Sequence, residues 1–193
     1  MIIPSLPNGI LLFLLGGAFL HFAVAGGRTF YSALPALESA GIIAEVSFVI
    51  CGAMATWIVG LGMPIHPVNG AFAAVLLVAA LWLYEWARHT IRYRRFGVAF
   101  GDHVPEALCE AGPYRWVRHP VYASYLLAFC AVAIALPHWV TLISLAGNAA
   151  LFVYTALNDE KEIAGSALAA DYAAYRERTG MFLPRFSRSA PGR

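Results

Sequence analysis

Five apolar runs, each near the length that crosses a bilayer, dominate this chain and leave it little choice of fold. They fall at 9–25, 42–62, 70–86, 120–136 and 139–157. At a rise of about 1.5 Å per residue, about 20 helical residues traverse the ~30 Å hydrocarbon core, where only helices and closed barrels satisfy their backbone groups. With 60% hydrophobic and only 12% charged residues, the composition excludes an ordinary soluble domain. The expected fold class is all-α: a polytopic membrane protein of about five transmembrane helices plus a C-terminal amphipathic cytoplasmic helix. The chain reads as one domain over 1–193. It holds N-terminal spans in 1–95, a loop, helical hairpin and C-terminal helix in 96–186, and a disordered tail at 187–193.

The basic residues set the expected orientation. Every Lys and Arg lies in the first loop, the third loop or the segment after the last run. The positive-inside rule then places the N-terminus outside the cytoplasm, and both the loop before residue 120 and the C-terminus inside it. The first run has no basic flank before it, so a retained span is expected rather than a cleaved signal peptide. Trp86, Trp116 and Trp139 sit near span ends, as interfacial anchors do. Only Pro137 and His138 separate the last two runs, which predicts a tight antiparallel hairpin. A formal charge of +2 offers no basic stripe for nucleic acid. Cys51, Cys109 and Cys130 have no spacing that suggests a disulfide framework or a zinc site, and no metal is expected.

Chemistry concentrates in two polar segments. The first is 106–125, EALCEAGPYRWVRHPVYASY. Its Gly-Pro pair breaks the backbone, and His119-Pro120 places proline where a helix can begin without losing a useful donor. Tyr114, Arg118, His119 and Tyr122 supply aromatic faces, donors and a helix N-terminus within one short stretch. That set suits a ligand carrying a flat ring and a carboxylate, although His119 alone reads equally well as a helix-start residue with a satisfied ring. The second segment follows the last run. Asn158 there predicts an N-cap with Asp159 and Glu160 in the first turn, and Ile163, Ala167, Leu168, Tyr172 and Tyr175 recur near helical spacing up to Gly180 and Pro184. Glu160 and Glu162 read either as a solvated helix start or as partners for an ammonium or hydroxyl groups. A cationic loop and an acidic helix start on one membrane face match a zwitterionic ligand.

Other polar residues have plainer readings. WARHTIRYRRF continues its span with helical spacing, and Arg88, Arg92 and Arg95 suit lipid headgroups. Glu45 and Glu85 are expected to pair with Arg28 or Arg88, and Asn148 to bond between helices. Soluble-nucleotide, zinc-protease and serine-hydrolase motifs do not occur.

GPYRWVRHPVY, the hairpin after it, a Glu at 160 and the closing ADYAAYRERTGMFLP together resemble the membrane-embedded isoprenylcysteine carboxyl methyltransferases and the related phospholipid methyltransferases. The resemblance covers roughly the C-terminal half. It implies an integral membrane methyltransferase that binds S-adenosylmethionine without a Rossmann domain. The implied cofactor contacts are Ala107, Leu108, Cys109, Tyr114, His119, Pro120, Val121, Tyr122 and Glu160, with Arg118 beside them. An amine, thiol or phenol acceptor also needs a base, for which Glu160, His119 or a tyrosine is the candidate. Prenylcysteine enzymes of that family carry an arginine four residues before the Glu, where this chain has Ala156, and the second acid of their Glu-Glu is Lys161 here. A buried substrate carboxylate without a cation is costly. The pattern therefore favours a phospholipid amine, a phenolic lipid or a thiol as acceptor over a prenylcysteine carboxylate. The competing readings are a transporter or sensor subunit and a catalytically silent scaffold, and the absence of broken-helix pairs argues against transport.

Overall fold

Helix spacing divides this apolar chain into buried and exposed faces, and the computed structural model describes residues 9–10, 13–22, 62–94 and 107–185, with 92–94 as backbone alone. The elements are α1 (Phe13–Phe22), then α2 (Pro67–Arg94), a 3-10 turn (Gly112–Arg115), α3 (Pro120–Ala135), α4 (Trp139–Ala164) and α5 (Ala169–Arg178). No strand occurs among the described residues, and Val117 and Gly180 form an isolated parallel bridge. The expected second span, together with Arg28, Glu45, Cys51, Arg95 and the tail at 187–193, lies outside the described residues.

On α2 the buried residues are Ala73, Leu77, Ala80, Tyr84, Ala87 and Ile91. Their alternating spacing of four and three forms one seam, and its alanines let the neighbouring backbone come close. Phe72, Val75, Val78 and Trp82 are exposed on the other side. The seam packs on α3, whose buried residues lie all around its axis, so α3 is the central helix. Helix α1 closes that side, with Phe19 against Phe129 and Phe22 against both Tyr84 and Tyr125.

Two helices, Pro67–Ile91 and Trp139–Ala164, are long and apolar enough to cross a membrane. Helices α1 and α3 are apolar but shorter; the 16 residues of α3 measure about 24 Å at the α-helical rise. The expected hairpin is present. Helices α3 and α4 are separated by residues 136–138, where the His138 ring accepts from the Val140 amide and the Thr141 hydroxyl completes a capping box. Trp86, Trp116 and Trp139 are all on the surface.

Three local expectations are corrected. The helix predicted to start at Asn158 does not start there: α4 runs on through Asn158, Asp159 and Glu160 to Ala164. No glycine or proline lies between Asn148 and Gly165, so a potential capping residue stays inside a helix already under way. Ile163 therefore belongs to α4, Ala167 and Leu168 to a turn, and only Tyr172 and Tyr175 form the buried side of the shorter α5. Asn148 bonds within its own helix, donating to the Ser144 carbonyl at 2.8 Å. Conversely, Glu85 does pair with Arg88, and it also meets His21 of α1 at 2.6 Å.

Two glycines hold the loop in place. Gly112 has φ +55, and a side chain there would fall on the Thr90 hydroxyl of α2. A Cβ at Gly180 would overlap the carbonyl of Leu183, which is backbone and cannot rotate aside. Gly180→Ala is expected to destabilise by more than ~2 kcal/mol, and Gly112→Ala by about 1–2 kcal/mol because Thr90 can move. Thermal unfolding of both variants in detergent checks this order.

Candidate functional site

Because α4 is unbroken, it presents one inward stripe: Ser144, Asn148, Phe152, Ala156 and Glu160, all buried and four residues apart. Glu160 ends that stripe and is only 4% exposed. A lone carboxylate so placed needs a partner. Arg118 supplies it, donating from Nε to Glu160 Oε1 at 2.8 Å. His119 Nε2 lies 3.4 Å from the same oxygen, at ion-pair distance but without hydrogen-bond geometry. Arg176 Nε stands 3.6 Å from Oε2. Both His119 Nε2 and Glu160 Oε2 are buried and make no hydrogen bond.

The loop reaches this position because the end of the chain grips it. The Arg118 amide donates to the Gly180 carbonyl at 2.8 Å, the His119 amide to the Met181 carbonyl at 3.1 Å and the Gly180 amide to the Trp116 carbonyl at 3.2 Å. The Tyr175 hydroxyl donates to the Tyr114 carbonyl at 2.7 Å. Arg118 adds its other guanidinium nitrogen to the Thr179 carbonyl. His119 is then the N-cap of α3, with Pro120 in the first turn as its sequence position predicts.

From His119 an aromatic file runs into the bundle. Its ring stacks on Tyr122 at 5.6 Å, and Tyr122 stacks on Phe152 at 5.5 Å. Phe152 meets Tyr125, which leans on Tyr84. The Tyr122 hydroxyl donates to Asp159 at 3.2 Å. Burial pushes the Tyr172 and Tyr175 phenols well above their usual range; the Glu160 charge adds to this for Tyr172, and the Cys109 thiol for Tyr175.

The structure thus brings His119, Arg118, Tyr122 and Glu160 into one cluster, with Pro120 and Val121 buried beneath it. Tyr114 is one turn away, its carbonyl held by Tyr175. Of the preceding strap, Ala107 is exposed, Leu108 and Cys109 are half-buried, and Glu110 pairs with Arg178. The Arg118 guanidinium is only 8% exposed and is occupied by Glu160 and main-chain carbonyls, which makes it a positioning group. Sequence reasoning passed over Phe152, Asp159 and Thr179. The fourfold spacing of the buried stripe marks Phe152, but nothing local marks the other two.

Comparison with protein families matches residues 68–166 to the family described as Phospholipid methyltransferase. A comparison with curated proteins found no match. The matched region takes in α2, the loop, the hairpin and Glu160, and stops before α5.

Arg118→Met leaves a buried carboxylate short of its main partner, and should destabilise by about 3–5 kcal/mol. Arg118→Met combined with Glu160→Met should lose less than the two single variants added together, as read from a double-mutant cycle of unfolding in detergent. The tyrosines make a separate prediction. With their folded pKa raised, their contribution is intact below the unfolded value of about 10 and is lost as pH rises above it, because the unfolded chain ionises first. Unfolding measured from neutral to strongly alkaline pH should show that fall, and the pair Tyr172→Phe and Tyr175→Phe should flatten it.

Proposed function

We propose that this chain, which belongs to the phospholipid methyltransferase family, holds S-adenosylmethionine at the Glu160–His119 cluster and methylates a lipophilic acceptor that enters from the bilayer. That it is a membrane methyltransferase follows from the family and its apolar helices; the cofactor contacts and the acceptor are our reading. The observation that carries it is two buried polar atoms without a hydrogen bond, Glu160 Oε2 and His119 Nε2, one from each member of the same close pair. Buried polar atoms are normally hydrogen-bonded, so two together mark a place where a polar ligand completes the structure. A carboxylate oxygen suits the hydroxyls or ammonium of the cofactor, and the His119–Tyr122 stack offers a flat face to its base. Ala107, Leu108, Cys109, Tyr114, Pro120 and Val121 complete the proposed contacts from the loop and the start of α3.

When bound, S-adenosylmethionine supplies a methyl carbon made electrophilic by its positive sulfur. The chain's own contribution is alignment and exclusion of water. Arg118 fixes the Glu160 carboxylate, the grip of residues 179–181 fixes His119, and the aromatic file walls the interior. An amine, phenol or thiol acceptor releases a proton on methylation, and in this reading His119 Nε2, 3.4 Å from Glu160 Oε1, accepts it.

Ala156 lies one turn before Glu160 and is fully buried. It offers no cation to a substrate carboxylate, which supports a phospholipid amine, phenolic lipid or thiol over a prenylcysteine carboxylate. We place the N-terminus outside the cytoplasm and the site on its cytoplasmic side, by the distribution of arginines.

Titration calorimetry of the detergent-purified protein with S-adenosylmethionine tests the site. His119→Ala and Glu160→Gln should each weaken binding at least ~10-fold, about 1.4 kcal/mol, and a wild-type chain indifferent to the cofactor would leave the transporter or scaffold reading. Mass spectrometry of lipid extracts, with and without expression of the chain, should reveal an amine, phenol or thiol lipid heavier by one methylene. A carboxyl methyl ester in its place would overturn the argument from Ala156.

A further inference from the structure

Glu160 is not the only acid that the end of α4 brings to the loop. Its neighbour Asp159 is half-buried, and the Tyr122 hydroxyl donates to Asp159 Oδ2 at 3.2 Å. Consecutive residues of a helix point about 100° apart, so one turn of α4 sends its two carboxylates to different partners. Glu160 meets Arg118 and His119, and Asp159 meets Tyr122, three positions further along the chain. The entry to α3 is thus held from α4 at two points.

What the second point fixes follows from the shape of a phenol. Tyr122 is buried, and its ring runs nearly parallel to the His119 imidazole, at 11°, and to the Phe152 ring, at 12°. The hydroxyl lies on the axis about which the ring twists, so a bond at that oxygen fixes where the ring points and leaves its twist free. That twist is a broad torsion in tyrosine, and here the two stacked neighbours set it. Bond and stack together leave the ring one orientation. A phenylalanine would fill the same space, and a buried hydroxyl costs free energy unless it is matched, so packing alone does not call for the oxygen.

His119 is the group that this orientation serves. Its Nε2 is buried and makes no hydrogen bond. Glu160 Oε1, 3.4 Å away, lacks hydrogen-bond geometry and so sets no plane for the imidazole. The parallel Tyr122 ring sets that plane, with the Phe182 ring standing at 63° to the imidazole.

We propose that Asp159 is a positioning residue of the cofactor site, a role that rests on the functional reading given above. Through the Tyr122 hydroxyl it sets the ring on which His119 stacks, and thereby the direction in which His119 Nε2 faces its ligand. Asp159 itself makes no contact with the cofactor in this role, which separates it from Glu160 although the two acids are adjacent. At 3.2 Å the bond is longer than the ~2.6 Å usual between a hydroxyl and a carboxylate, so ligand affinity, rather than stability alone, is the quantity that reports it.

The test titrates the full chain, in a neutral detergent, with S-adenosylmethionine in a calorimeter and records the thermal unfolding temperature of each variant alongside. Asp159→Ala and Tyr122→Phe remove the same bond from its two ends, and each should weaken binding about 3- to 10-fold, as loss of one hydrogen bond does. The double variant should lose no more than the larger single loss. Asp159→Asn keeps an acceptor oxygen without the charge and should recover binding to within ~2-fold of the wild type. The proposal is overturned if the two single variants bind as the wild type does, or if their losses multiply in the double variant, since the side chains would then act separately. It is overturned equally if Asp159→Asn binds as weakly as Asp159→Ala, because the charge would then meet the cofactor directly. Should Asp159→Ala unfold too readily to titrate, Tyr122→Phe and Asp159→Asn decide between the same outcomes. A wild-type chain that takes up no cofactor sinks the functional reading and this proposal together, whereas a wild-type chain that binds no better than its variants sinks this proposal alone.

Discussion

A carboxylate buried in an apolar bundle is the constraint around which the rest of this structure is arranged. Glu160 sits at 4% exposure, where charge is expensive unless paired and hydrogen-bonded. Its partner Arg118 comes from a loop 42 residues earlier in the chain. Holding that arginine requires the loop to stay against α4, and Gly180 and Met181 return to bond its backbone while the Thr179 carbonyl accepts from Arg118 and Tyr175 holds the Tyr114 carbonyl. One ion pair therefore ties together the end of α4, the entry to α3 and the exit from α5. Such a pair is weak as a source of stability and strong as a source of specificity, since removing either member leaves an uncompensated charge.

The same arrangement suits the chemistry proposed for it. A carboxylate and an imidazole held this close, each with a buried atom left unsatisfied, form a preorganised polar corner at the mouth of an aromatic file. Methyl transfer needs alignment and dryness more than covalent help from the protein. The bundle supplies both: α2 packs its alanine seam on α3, and the hairpin draws α4 alongside. Helix α4 contributes twice. Its inner stripe carries Phe152, Ala156 and Glu160, while Ile143, Val153 and Leu157 are exposed on its outer side. A single helix thus carries a buried polar end and an exposed apolar face on opposite sides of one axis.

Much of this is local, and local features are legible in a sequence. The hydrophobic runs at 70–86, 120–136 and 139–157 match α2, α3 and α4 because helical burial in an apolar medium depends on length and composition alone. The break at Gly112-Pro113, the start of α3 at Pro120 and the hairpin at Pro137 follow from what glycine and proline do to the backbone. His119 and Glu160 stand out through their neighbours, as two polar segments on the same expected side of the membrane. Asn158 shows the limit. Its residue type and the acids after it describe a helix start, yet the helix was already running and had no reason to stop before Gly165.

What the sequence by itself determined is therefore the all-helical membrane character, the family and the two segments that carry polar chemistry. Tertiary structure alone decided that Arg118 engages Glu160, that residues 179–181 clamp the loop, and that Arg118 and Arg185 meet at the Arg176 carbonyl. The reason is physical. Periodicity and backbone restriction act between residues a few positions apart, whereas a charge removed from water takes whichever opposite charge folding brings within reach, however distant along the chain.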